Sequence, residues 1–179
     1  MTVIIAQGLR TAVPSWQPTA DIVLSTLMRY PDRAQNIMLT PLSLLGFGLV
    51  IAGTLVRWKC YQKMRSQFTA ELSIQENHKL ITTGPYGFVR HPGYSGGLAV
   101  QFGLFCWLCS RGSWVRESGV LDTVIGSVFF YAFALCQGTL ATFAIRRMGR
   151  EDEELGRVFG EEWDGWARRV RYNLIPGVY

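Results

Sequence analysis

The sequence predicts an all-α integral membrane protein: a multi-span helical bundle with a cytoplasmic C-terminal helical segment. Three observations predict it. Apolar residues make up 49% of the 179-residue chain, and the mean hydropathy is +0.14. Those residues are segregated into three long stretches without a charge. The basic residues cluster in the segments that alternate with those stretches. At this length one domain is expected. We divide the chain into residues 1–36, a membrane-associated or spanning segment, and residues 37–179, a transmembrane core with its tail.

Residues 1–28 hold apolar clusters, "VIIA" and "IVLSTLM", broken by Arg10, Pro14, Pro18 and Asp21. The pattern fits a further span, a broken one, or a helix lying in the interface. It lacks the basic start, apolar centre and cleavage site of a signal peptide, so it is expected to stay in the mature protein. The bundle therefore has three strong spans, or four to five if this region also crosses.

The three uncharged stretches are residues 37–56, 93–110 and 123–145, of 20, 18 and 23 residues. At about 1.5 Å per residue each approaches or exceeds the roughly 30 Å of hydrocarbon in a bilayer. A soluble fold would have to bury all three helices in a small protein with almost no amphipathic helices to cover them. Residues 57–92 carry Arg57, Lys59, Lys63, Arg65, Lys79 and Arg90. The tail carries Arg146, Arg147, Arg150, Arg157, Arg168, Arg169 and Arg171. The connector between the second and third stretches has only Arg111 and Arg116. Thirteen basic residues against two put the first loop and the tail in the cytoplasm. Arg10, Arg29 and Arg33 precede the first strong span. The basic balance thus reads as topology and contact with anionic headgroups, not nucleic acid.

The four cysteines carry little. Cys106 and Cys109 form C-x-x-C inside an apolar run, where they read as small apolar residues. Cys60 and Cys136 have no partner by spacing. With two histidines in the chain no metal site is expected.

The stretch "ITTGPYGFVRHPGYSGG" sits at the entrance to the second span. Gly84, Pro85 and Gly87 are turn chemistry. Pro92 suits the first turn of a helix, whose N-terminus is a natural seat for a carboxylate or another acceptor-rich group. Gly93 and Gly97 form G-x-x-x-G, which permits close approach of a helix or ligand. The plain alternative is an interfacial anchor, with Arg90 for headgroups and Tyr94 in the aromatic belt. In the tail, Arg147 and Glu151 are four apart and share a helix face just below the membrane. Most of the remaining tail charge reads as a solvated helix.

Together, "HKLITTGPYGFVRHPGYSG" and "RRMGREDEELGRVFGEEWDGWARRV…LIPGVY" resemble the isoprenylcysteine carboxyl methyltransferase family of integral membrane enzymes that use S-adenosylmethionine. The resemblance covers about residues 68–179. It implies cofactor contacts at His78, Lys79, Leu80 and Ile81, at Tyr86, at His91, Pro92, Gly93 and Tyr94, and at Glu151. It implies that Arg147 faces the substrate carboxylate. A glutamine of some relatives falls near Glu71. The paired acids are Glu151 and Asp152 here, and Gly93 stands where bulkier or polar residues are common in the family, which would widen the pocket.

The residues suit that chemistry. A carboxylate attacking a sulfonium methyl needs no general base, only alignment and exclusion of water, worth about 7–11 kcal/mol in good geometry. Arg147 offers a two-pronged hold on a carboxylate. Glu151 can take hydroxyl or amino groups, and Tyr86 and Tyr94 can face a cationic donor. The expected function is methyl transfer to a lipophilic acceptor, foremost the carboxylate of a prenylated cysteine. Within the class, another lipophilic acid, an amine headgroup or a terpenoid is the alternative. Outside it stand a sterol-reductase-like enzyme, for which no Rossmann-type glycine fingerprint is visible, and a non-enzymatic scaffold. The expected location is the endoplasmic reticulum in a eukaryote, otherwise the inner membrane, with the active site facing the cytoplasm. Neither end shows a retention or lipid-attachment motif.

Overall fold

The computed structural model describes residues 2–64 and 80–178. Their regular structure is all helical, with no strand among the described residues. Seven α-helices follow in order: α1 (Thr2–Ala12), α2 (Gln17–Leu27), α3 (Pro41–Met64), α4 (Pro92–Cys109), α5 (Trp114–Glu117), α6 (Val124–Phe159) and α7 (Glu161–Arg169).

Local chemistry sets their ends. Thr40 and Ser43 cap α3 reciprocally: the Thr40 N–H donates to Ser43 Oγ (2.7 Å), and the Ser43 N–H to Thr40 Oγ1 (3.3 Å). Pro92 opens α4 as its first residue. The Gly126 N–H donates to Thr123 Oγ1 (3.0 Å) at the head of α6. That helix runs for 36 residues, about 54 Å. The polar tail is therefore not a separate segment at first. Residues 146–159 continue the third apolar run as one helix, which ends where Gly160 takes φ +51° and turns the chain into α7.

Two of the three expected spans have the length and composition to cross a membrane, α3 and α6. The second run does fold as α4, but its first five residues are Pro, Gly, Tyr, Ser and Gly and Gln101 interrupts its middle, so it falls short of the same standard. The N-terminal region is no single span. It breaks at the turn Pro14–Trp16 into two 11-residue helices, each about 16 Å long and half the hydrocarbon thickness.

The chain forms two compact units. The first comprises residues 1–48 and 102–136. In it α1, α2 and the turn Pro31–Asn36 pack together through Val3, Ala6, Ala20, Leu24, Met28 and Ala34. The Arg29 N–H donates to the Ser118 carbonyl (2.8 Å), and Tyr30 lies under Arg33 at 4.3 Å. Gly119, at φ +78°, leaves no room for a Cβ against the Tyr30 ring. Phe105 meets Phe130 and Phe133.

The second unit comprises residues 49–101 and 137–179 and holds every described candidate site residue. Its α3 and α4 stretches touch backbone to backbone. A Cβ at Gly96 would sit 2.6 Å from the Gly53 carbonyl oxygen, and one at Gly53 would collide with the Gly96 carbonyl. The close approach expected of G-x-x-x-G is therefore made by Gly96, with Gly97 against the Arg57 guanidinium, while Gly93 faces open space.

Gly53→Ala should destabilise the protein by about 1–3 kcal/mol, because the new methyl meets backbone that cannot swing aside. Gly48→Ala, on the same helix with no atom within 4 Å of its Cβ position, should gain up to about 1 kcal/mol from helix propensity. Thermal unfolding in one detergent compares them, and equal shifts would refute the backbone-contact account.

Candidate functional site

The site grows from the two residues before α4. The Arg90 and His91 N–H groups donate to the carbonyls of Tyr172 and Asn173, both at 2.9 Å. The Arg90 side chain reaches the end of α7: Nε donates to the Val170 carbonyl (2.8 Å) and Nη2 to the Ala167 carbonyl (3.1 Å). These are orphan acceptors at a helix C-terminus, where a cation is favoured. The same guanidinium lies 5.6 Å over Trp163 and 3.6 Å from Asp152. One turn on, Ser95 Oγ donates to the Leu174 carbonyl (2.6 Å). From the turn Gly84–Gly87, the Tyr86 carbonyl accepts from Trp166 Nε1 (3.2 Å). The C-terminal strap is thus stitched to the mouth of α4.

Within that frame His91 is buried, 6% exposed, with Nε2 2.9 Å from Asp152 Oδ1. An ionised carboxylate only accepts, so Nε2 carries the hydrogen. Its Nδ1 lies 3.7 Å from Glu151 Oε2, outside hydrogen-bond range. Glu151 Oε1 accepts from the Tyr94 hydroxyl (2.6 Å) and from Arg147 Nε (3.0 Å). The shared face of Arg147 and Glu151 is therefore real, and it is turned onto the start of α4.

Tyr94, Glu151 and Arg147 form one hydrogen-bonded array, and His91, held by Asp152, lies beside it. Pro92 is fully buried at its base, and Gly93 is open. Tyr86 stands apart and donates to Met64 Sδ (3.0 Å). Burial pushes its phenol above the ordinary range, with the nearby Cys60 thiol adding to the effect, so it is a neutral donor at working pH. Leu80 and Ile81 are half-buried at the head of the same loop. His78 and Lys79, like Glu71, lie outside the described residues.

Sequence reasoning missed Arg90, Asp152, Ser95 and the segment 170–174. Arg90 had a signal, since it adjoins His91, but an interfacial arginine looks the same. Asp152 read as half of a variable acid pair, although it holds the histidine. Two buried polar atoms, Trp163 Nε1 and Asn173 Oδ1, have no hydrogen-bond partner among the described residues. Trp163 lies under Arg90, and Asn173 is the residue whose carbonyl takes the His91 N–H. Chemically, the site can hold amino and hydroxyl groups on Glu151 and an anion on Arg147.

Comparison with known proteins follows the same lines. The isoprenylcysteine carboxyl methyltransferase (ICMT) family matches residues 44–117. A protein of Oryza sativa subsp. indica named "Probable protein-S-isoprenylcysteine O-methyltransferase" is 33% identical over 134 residues, covering 74% of this chain and 60% of that protein. Protein-S-isoprenylcysteine O-methyltransferase B of Arabidopsis thaliana is 29% identical over 131 residues, covering 72% and 57%. A Delta(14)-sterol reductase of Schizosaccharomyces pombe is 29% identical over 101 residues, covering 56% and 20%. The chain thus spans about 60% of the length of the plant relatives it matches. No solved structure matches it. The resemblance expected from the two motifs is borne out, and the family is one of enzymes.

Asp152→Ala should leave the buried His91 N–H unpaired, costing about 1–3 kcal/mol. The exposed neighbour Glu153→Ala should change stability by less than about 0.5 kcal/mol. Chemical unfolding in mild detergent measures both, and similar losses would mean the His91–Asp152 bond contributes nothing specific.

Proposed function

We propose that this relative of the isoprenylcysteine carboxyl methyltransferases transfers a methyl group from S-adenosylmethionine to the carboxylate of a prenylated cysteine. One observation carries the reading: the Tyr94–Glu151–Arg147 array beside buried His91, at the mouth of an apolar helix.

The residues present fit the cofactor. Two carboxylates, Glu151 and Asp152, and the Tyr94 ring suit a ligand bearing cationic and hydroxyl groups. Trp163 Nε1 and Asn173 Oδ1, buried next to the site, have no partner among the described residues. On the family resemblance His78, Lys79, Leu80, Ile81, Tyr86, Pro92 and Gly93 complete the binding surface. When bound, the cofactor supplies a methyl group on a positively charged sulfur. Glu151 would then anchor polar groups of the donor, and Tyr94, held by Glu151, would keep its ring at a fixed angle. Glu151 also takes the Arg147 Nε–H, which fixes the plane of that guanidinium. A fixed fork sets the angle at which a carboxylate is presented.

The membrane reading rests on exposed apolar faces. Phe129 is 72% exposed and Leu135 74%, on a helix none of whose most apolar window is buried. Surfaces of that kind belong against lipid. The charge tally supports a cytoplasmic site and a third crossing by α4. A lipophilic acceptor would enter from the bilayer and a soluble donor from the water, so the helix mouth is where they can meet.

A second reading, a reductase, is favoured by the matches to Delta(14)-sterol reductases. Those matches cover between 20% and 38% of each reductase at 24–29% identity, whereas the rice methyltransferase is covered over 60% at 33%.

Purified protein with labelled S-adenosylmethionine and N-acetyl-S-farnesylcysteine should form a base-labile methyl ester. Arg147→Ala should lower kcat at least about 100-fold while the cofactor still binds, whereas Glu151→Ala should weaken cofactor binding. Binding without ester would mean another acceptor, and no binding at all would move the reductase and scaffold readings forward.

A further inference from the structure

A second guanidinium stands close to the cluster. Within the second unit, α3 and α4 enclose a groove of about 440 Å³ lined by Thr54, Arg57, Trp58, Tyr61, Gly97 and Gln101. Arg57 is half-buried in it. Its Nη1 donates to the Gly93 carbonyl (3.4 Å), and its Nη2 donates to the Tyr61 hydroxyl. The guanidinium carbon lies 5.5 Å over the Tyr61 ring. Among the described residues the cation has carbonyl and aromatic neighbours and no carboxylate partner.

The groove also points somewhere. Tyr94, Gly97 and Gln101 are spaced i, i+3 and i+7, so they lie on one face of α4. The wall that carries Arg57's neighbours therefore leads directly to Tyr94, which donates to Glu151. Gly97 has no side chain, and the Arg57 Nη1 would lie 2.9 Å from a Cβ placed there. That missing methyl is the space in which the guanidinium lies. Trp58 and Tyr61 flank it with exposed aromatic surface.

We propose that this groove is a capture site for an amphiphile with one carboxylate at the end of an apolar stem, and that Arg57 is the residue that selects the acid. The proposal rests on the function proposed above and names a specificity determinant for it. A lone guanidinium, with no lysine or second arginine in the lining, suits a singly charged planar carboxylate presented to its fork. The aromatic walls take the stem. Arg57 then governs affinity, and Arg147 governs presentation to the donor.

The test needs no turnover. Equilibrium binding of N-acetyl-S-farnesylcysteine and of its neutral methyl ester is measured for the full chain in phosphatidylcholine nanodiscs. Wild type should prefer the acid by about tenfold or more. Arg57→Ala should cut that preference to less than about twofold by weakening the acid alone, with the S-adenosylmethionine dissociation constant unchanged. Gly97→Ala, which keeps the arginine and favours the helix, should reduce the preference by displacing the guanidinium. Where ester formation is observed, Arg57→Ala should raise KM for the acid by the same factor and leave kcat within about twofold. Absence of ester formation would count against the proposed function without touching the binding result. The capture site is overturned if wild type binds acid and ester alike, or if the preference survives Arg57→Ala. It is also overturned if phosphatidylglycerol in the nanodisc erases the preference in wild type, which would make the groove a headgroup anchor.

Discussion

The site depends on one arginine holding the end of one short helix. Arg90 donates to the last carbonyls of α7 through its side chain and to the Tyr172 carbonyl through its backbone. Hydrogen bonds from a charged donor are worth about 1.5–3 kcal/mol each, and Arg90 makes two from its guanidinium. Without them α7 would end in unsatisfied carbonyls. The His91 N–H and the Ser95 hydroxyl hold residues 173 and 174 against the same mouth. The tie turns an exposed, charged tail into a wall.

Charge in the site is arranged in two matched sets. Asp152 lies between the Arg90 guanidinium and the His91 ring, and Glu151 between the Arg147 guanidinium and the Tyr94 hydroxyl. Each carboxylate therefore has one guanidinium and one further donor. Partly burying ions is costly without such partners, and this pairing gives two to each of two adjacent acids while leaving acceptor sites for a ligand. Successive residues of a helix point about 100° apart. That is why 151 and 152 can serve different partners while both approach His91.

Much of this was legible in the sequence, for identifiable reasons. The helix start at Pro92 follows from a fixed φ and a missing N–H, both local properties. The pairing of Arg147 with Glu151 follows from helical spacing. The long apolar runs were visible, but their capacity to span was not equal. Gln101 and the glycines, serine and tyrosine of residues 93–97 lower the hydropathy of α4, and Pro14 splits the N-terminal region. What could not be read was the return of the tail. Nothing in the spacing says that Arg90 will meet Ala167 and Val170, because that contact depends on Gly160 turning the chain at positive φ. Asp152 was hidden for the same reason, since its partner lies 61 positions away.

The stretch "HPGYSGG" is dense because it is helical. Each residue faces a different surrounding, and each has the type its surrounding demands. His91 is buried against Asp152, and Pro92 is buried where no N–H is needed. Gly93 is open, with its carbonyl toward Arg57. Tyr94 meets Glu151, Ser95 ties down the strap, and Gly96 and Gly97 admit α3 and its arginine. A first turn built this way has little freedom to vary except at Gly93, the residue with room for a side chain. Gly93 also sits between the Arg57 groove and the Tyr94 cluster. On the function proposed here, the size of the residue at 93 would therefore set how bulky an acceptor can be while its carboxylate still reaches both arginines.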